Sequence, residues 1–255
     1  MSKFLILLIA VFPLMLVAKE TKKVVRERHY PDFTETFYVL KSDTSVKHGS
    51  YKAQTLGQVL VTGHFNMGYM DSIWTQYNLK GKIRSRGWFE KGKRDSIWEF
   101  FNHKGELEQK IDFTHGELLY YQTSFAKYPF RVISGTDSIV SILERPPLFV
   151  GGISRFNDYV TEELNIPLHK RGEKVNGIVY LSFTIDSLGK TSNYRVLKGI
   201  GKTCNSEALR VMKTIPDDWI PGRLNGRNVT VDYLTLFQFD QNVRTIDPEF
   251  IKMTN

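Results

Sequence analysis

Hydrophobic and polar positions change their rhythm along the chain. Between residues 46 and 118, short runs of alternating apolar and polar residues are each closed by glycine. Asp71-Ser72-Ile73-Trp74 returns as Asp95-Ser96-Ile97-Trp98, an offset of 24 (95 − 71). The same offset carries Gly57 to Gly81 to Gly105, Phe65 to Phe89 to Phe113, Gly68 to Gly92 to Gly116, and Gly63 to Gly87. Each unit reads as a β-hairpin, because glycine supplies the positive φ that tight turns require. One hairpin buries too little apolar surface to stand alone, so neighbouring units must stack. Trp74, Trp88 and Trp98 could line a binding stripe, but the repeat-locked pair Trp74 and Trp98 is expected in the stacked core.

On either side the beat is lost. Residues 19–45 hold one or two strands, with Phe33 to Leu40 the best candidate. Residues 119–146 read as a linker, with a turn at Ser134-Gly135-Thr136-Asp137 and a boundary at Arg145-Pro146-Pro147, where consecutive prolines disfavour helix. After Gly151-Gly152 the period becomes helical: Phe156, Tyr159, Val160 and Leu164 share one face, and Ile166-Pro167 ends the run. Val179, Leu181, Phe183 and Ile185 then alternate in a half-buried strand, turned at Asp186–Gly189 into a second strand, Lys190 to Val196. A second helix opens near Asn205 or Ser206 as N-cap, buries Leu209, Val211, Met212 and Ile215, and stops at Pro216. A last long strand, Asn228 to Phe239, points Val229, Val231, Tyr233, Thr235, Phe237 and Phe239 one way. The fold class is therefore α+β: an N-terminal all-β hairpin array, then a small three-stranded antiparallel sheet with two helices.

The N-terminus bears on the compartment. Lys3 precedes an uncharged run, Phe4 to Ala18, closed by Lys19-Glu20. The run is shorter than the roughly 20 residues of a spanning helix and reads as a secretory signal peptide over residues 1–18. Export to the periplasm is expected, and the chain touches a membrane only if that segment stays uncleaved. Net charge is +8, but basic and acidic residues interleave without a basic block, so nucleic acid is not an expected partner. Cys204 is the only cysteine, which excludes an intramolecular disulfide and a cysteine-based zinc cluster.

Catalytic motifs fail on spacing. Gly199-Ile200-Gly201-Lys202-Thr203 looks like the end of a phosphate-binding loop, yet the position five before Gly201 is Val196, not glycine. His29, His48, His64, His103, His115 and His169 never pair at metal-ligand spacing, and neither H-E-x-x-H nor G-x-S-x-G occurs. Glu207 and Arg210 stand at i, i+3, the spacing of a surface ion pair. No catalytic, cofactor-binding or metal residue is assigned, and no enzyme is expected.

Two resemblances organise these readings. Asp71, Trp74, Tyr77, Gly81, Lys82 and Ile83, with Asp95, Trp98, Phe101, Gly105 and Leu107, resemble MORN-type repeats over residues 46–118, which implies an extended β scaffold or contact surface. The run Gly151-Gly152, Pro167, Gly177-Ile178-Val179, Phe183 to Asp186, Gly189, Val196-Leu197, Gly199 to Gly201, Cys204, Glu207 to Val211, Pro216, Trp219 to Gly222, Gly226 and Val229 resembles the TonB family C-terminal domain over residues 147–240. Val150 stands where proline commonly precedes the two glycines, and Asp217-Asp218 is one residue longer than usual. The resemblance implies a protein-contact domain that adds a short segment of an outer-membrane transporter as a strand to its sheet edge. That edge would be the last strand, with Asn228, Thr230, Asp232, Leu234, Leu236 and Gln238 facing the partner. The leucines would otherwise be covered by the repeat domain or by a second copy of the chain, so a homodimer stays open. The expected layout is signal peptide 1–18, repeats 19–118, linker 119–146, TonB-like domain 147–240 and tail 241–255. Two alternatives to a periplasmic binding protein remain: an inner-membrane-anchored energy transducer and a purely structural envelope protein.

Overall fold

The 24-residue beat becomes an antiparallel meander. The computed structural model describes residues 19–29, 32–122, 128–165, 176–239 and 244–246. Nine strands form one sheet in sequence order: β1 Thr21–His29, β2 Asp32–Leu40, β3 Lys47–Thr55, β4 Gln58–Asn66, β5 Tyr69–Tyr77, β6 Ile83–Glu90, β7 Lys93–Phe101, β8 Leu107–Asp112 and β9 Glu117–Tyr121. Equivalent positions of the repeat take equivalent backbone shapes. Ser72 and Ser96 have φ of 63° and 54°, and Met67 and Lys91 have 50° and 48°. The positive φ at each serine accompanies a bulge. His64 pairs with Asp71 and Thr62 with Thr75, so Gly63 alone opposes Ser72-Ile73-Trp74, and one unit later Gly87 opposes Ser96-Ile97-Trp98.

Those bulges lay each tryptophan over a glycine. A Cβ on Gly63 would stand 2.2 Å from the Trp74 ring, and a Cβ on Gly87 2.2 Å from the Trp98 ring. Trp74 and Trp98 are buried. Between them run edge-on aromatic contacts: Phe65 to Trp74 at 5.1 Å, Trp74 to Phe89 at 6.0 Å and Phe89 to Trp98 at 4.9 Å between ring centroids. Edge-to-face rings at these distances attract through their quadrupoles as well as by burial. Trp88, off this ladder, is 41% exposed.

The second sheet follows the path β11–β10–β17–β13–β14, made by β10 Pro129–Ser134, β11 Asp137–Ile142, β13 Gly177–Ile185, β14 Thr191–Lys198 and β17 Arg227–Phe239. Short strands β16 Gly222–Leu224 and β18 Arg244–Ile246 also pair with β17, while β12 Leu148–Phe149 pairs with β15 Trp219–Ile220. Helices α1 Gly152–Glu163 and α2 Lys202–Thr214 contribute Phe156, Val160, Ala208, Val211 and Met212 to one core with Val179, Leu181, Phe183 and Ile185 of β13 and Val231, Phe237 and Phe239 of β17.

Several expectations are corrected here. The sheet path has five strands rather than three, because a hairpin from residues 129–142 joins it. Residues 119–146 are therefore not a spacer. Arg244–Ile246 of the expected tail is β18. Of the one or two strands expected in residues 19–45, two are present, β1 and β2, and they extend the meander. Helix α2 starts at Lys202, with Gly201 rather than Asn205 or Ser206 at its cap position. Asn205 lies inside the first turn, where its Oδ1 accepts the Ile200 N–H at 3.1 Å. Helix α1 ends at Glu163, with the cap N–H of Leu164 donating to Val160 O. The expected signal segment, residues 1–18, together with Ile166-Pro167 and His169, lies outside the described residues.

Candidate protein-contact site

The site expected on the last strand can be placed residue by residue. Strand β17 pairs along Val231–Phe239 with β13 on one side. Its other side is met by parts of the same chain. Asn228 lies opposite Arg223 of β16, Thr230 opposite Ile133 and Asp232 opposite Arg131 of β10, and Leu236 opposite Ile246 and Gln238 opposite Arg244 of β18. An open edge over this whole strand is therefore not what the fold presents: β16 folds onto β17 as a local hairpin, while β10 and β18 reach it from outside the helix–hairpin–helix–strand unit.

Side chains follow the same pattern. Asp232, 13% exposed at its side chain, accepts from Arg195 at 2.8 Å and faces Arg131 at 3.5 Å, so it ties β14 and β10 across β17. Asn228 accepts from Arg145 at 3.4 Å and donates to Ser187 O at 3.4 Å. Leu236, expected to face outward, is 1% exposed, whereas Thr230, Leu234 and Gln238 are half-buried.

A second cluster, absent from the sequence reading, joins the two sheets. Helix α1 has no side-chain cap of its own, since Gly151 holds the cap position with φ 97°. The cap comes instead from β8. Glu108 Oε1 accepts the Ser154 N–H at 3.0 Å in the first turn of α1, and a carboxylate is favoured there by the helix dipole. Beside it the Gln109 side chain, 1% exposed, accepts the Gly151 N–H at 2.6 Å and donates to Phe149 O at 3.3 Å. A Cβ on Gly152, at φ +83°, would stand 2.4 Å from Glu108 Cδ. The glycine pair thus lets the helix end approach β8. The one available signal was that a helix opening on Gly-Gly lacks a Ser, Thr, Asp or Asn cap.

Both departures from the TonB pattern fall at this junction. The Val150 N–H, which proline would lack, donates to Asp218 O at 2.7 Å. The Val150 side chain packs with Trp98, Phe100 and Ile111. Asp218 Oδ2 accepts from Arg94 of β7 at 3.2 Å and from Arg155 of α1 at 3.0 Å. Its neighbour Asp217 takes the Thr191 N–H at 3.1 Å. Replacing Asp218 by asparagine is expected to lower stability by about 1 kcal/mol, because these ion pairs are partly exposed. Urea denaturation curves of the two proteins, compared at low and high salt, measure that loss and its screening.

The Ile200 amide of the loop before α2 is taken by Asn205. Cys204 is free and buried, and burial pushes its thiol pKa up, away from reactivity. Glu207 and Arg210 form the expected ion pair at 2.8 Å, and the Asn165 N–H donates to Glu207 at 2.8 Å, which links the end of α1 to α2. Among the described residues no group of His, Cys, Asp and Glu is arranged to hold a metal, and no helix is long and apolar enough to cross a membrane.

Comparison with known proteins adds one informative likeness. No curated protein matches the chain. Among solved structures, a point mutant of S. aureus TarM in complex with fondaparinux, alpha-GlcNAc-glycerol and UDP is 14% identical over 39% of this chain, with a TM-score of 0.24. The chain spans only 21% of that protein's length, and so weak a likeness carries no argument. Residues 166–240, which take in β13, β14, α2 and β17, match the family model described as the Gram-negative bacterial TonB protein C-terminal, a non-enzymatic protein-interaction domain.

Proposed function

We propose that residues 147–240 are a TonB-like protein-contact domain of the periplasm, taking an extended segment of an outer-membrane transporter onto their sheet. The observation that carries this reading is the TonB match over residues 166–240, which hold the hairpin β13–β14, helix α2 and strand β17. Strand addition uses main-chain hydrogen bonds for affinity and alternate side chains for specificity. The contact residues are Asn228, Thr230, Asp232, Leu234 and Gln238 on β17, whereas Leu236 is buried. Strands β10 and β18 each hold β17 through only three residue pairs, so the incoming segment displaces one of them. The repeat sheet is a MORN-like scaffold, and the segment before Lys19 is an export signal.

A photo-reactive residue placed at Thr230 or Gln238 is expected to cross-link to an outer-membrane protein in the intact envelope. The reading is overturned if cross-links form only from the exposed face of the repeat sheet, for example from Trp88. N-terminal sequencing of the mature protein is expected to start near Lys19; an intact Met1 start favours an anchored energy transducer instead.

The junction supports a second reading, a structural envelope protein whose two halves act as one body. Glu108, Gln109, Arg94 and Asp218 all bridge the sheets. This reading predicts no envelope cross-link from β17 at all.

A further inference from the structure

The two sheet paths end in four strands, β1, β9, β11 and β14. A terminal strand offers unpaired backbone groups to any other strand, and proteins guard such edges with charge, bulges or shortness. Three of these four are guarded. Strand β1 carries Lys22, Lys23, Arg26 and Arg28 within nine residues. Strand β14 carries Arg195 and Lys198, has Asn193 at φ 54°, and pairs with β13 through two register shifts. Strand β9 has five residues and a register shift against β8.

Strand β11 is guarded least: it has no register shift against β10 and one charge, at its first position. Its sequence is Asp137-Ser138-Ile139-Val140-Ser141-Ile142, and all six residues pair with β10 without a shift. Ile139, Val140 and Ile142 are 59%, 73% and 58% exposed, so both faces of this edge are apolar and uncovered. A regular apolar strand with an open hydrogen-bonding side is an association surface.

We propose that β11 pairs antiparallel with β11 of a second copy, joining two five-strand paths into one continuous sheet across a twofold axis. Charge selects this occupant. The strand's single charged residue is Asp137, at its first position. Antiparallel self-pairing centred on Val140 sets the two Asp137 residues six positions apart along the strand, about 20 Å at ~3.4 Å per residue. That exceeds the screening length of about 8 Å at physiological salt, so the two carboxylates do not oppose each other. It also sets Val140 against Val140 and each Ile139 opposite a Ser141. The same operation on β1 stacks a cationic run on itself, and like charges directly opposed destabilise a strand pair. The interface is isologous, as a twofold requires. It lies outside residues 166–240, and it is compatible with the contact proposed on β17 where the incoming segment displaces β18 and leaves β10 paired.

Sedimentation velocity of the full mature chain is the test. A dimer is expected at tens of micromolar. Val140→Lys, at a position 73% exposed and so without cost to the fold, is expected to weaken it by about tenfold or more by opposing like charges across the axis. Leu119→Lys on β9 should leave the dimer unchanged. Val140→Cys, treated with an added thiol oxidant, should form a disulfide-linked dimer, since directly opposed strand residues lie within reach of a disulfide and Cys204 is buried. A monomeric wild-type chain overturns the proposal. So does a dimer that Val140→Lys leaves intact, or one that Leu119→Lys dissolves.

Discussion

Gly87→Ala is expected to destabilise the repeat sheet by about 3 kcal/mol, the upper end of ordinary overpacking. The new methyl would stand 2.2 Å from Trp98 Cδ2, far inside contact distance. The ring is tied in place. It is 5% exposed, Phe89 meets it edge-on at 4.9 Å, and its Nε1–H donates to Trp88 O at 2.8 Å. Steric crowding alone is responsible, because Gly87 is not among the glycines at positive φ. In a chain of this size the cost corresponds to a fall of about 6–12 °C in Tm. Thermal unfolding followed by circular dichroism measures it. Combining the change with Trp98→Leu should cost less than the sum of the two single changes, since both act on one contact. An unchanged Tm for Gly87→Ala would mean that the tryptophan-over-glycine stacking does not hold the sheet together.

Gln109→Leu is expected to come next, at about 2 kcal/mol. Leucine matches the volume but returns neither hydrogen bond, leaving the Gly151 N–H and the Phe149 carbonyl without their present partner where β8 meets α1. Removing one partner of a buried polar pair exposes the desolvation cost of the other. Hydrogen exchange at the Gly151 amide should accelerate in the variant while amides of β3 and β4 keep their protection. That contrast separates a loosened junction from general unfolding.

The local elements were legible because each is written in short-range physics. The 24-residue spacing of Gly63 and Gly87 with Trp74 and Trp98 reports a stacking contact that every unit must repeat. Val179, Leu181, Phe183 and Ile185 alternate because one face of β13 is core. What stayed hidden is non-local. Nothing in Pro129–Ser134 announces a partner about a hundred residues away, yet Arg131, Val132 and Ile133 pair with Asp232, Val231 and Thr230. The expectation of a free last strand failed for that reason, since an edge is defined by what does not pair. Glu108 and Gln109 were overlooked because polar residues in an alternating strand read as the solvated face, whereas here the second domain covers them. The extra residue in Asp217-Asp218 and the valine at 150 were visible as departures, but only the junction gives them a purpose.

The meander also sets a distance. Strands stack about 4.8 Å apart, so the seven steps from β1 to β8 separate the sheet's first strand from the strand that caps α1 by about 35 Å. Every further 24-residue unit would add two strands and about 10 Å, in a fixed direction and without a flexible spacer. The repeat count is then a standoff length: it fixes how far from its first strand this chain holds helix α1 and the second sheet.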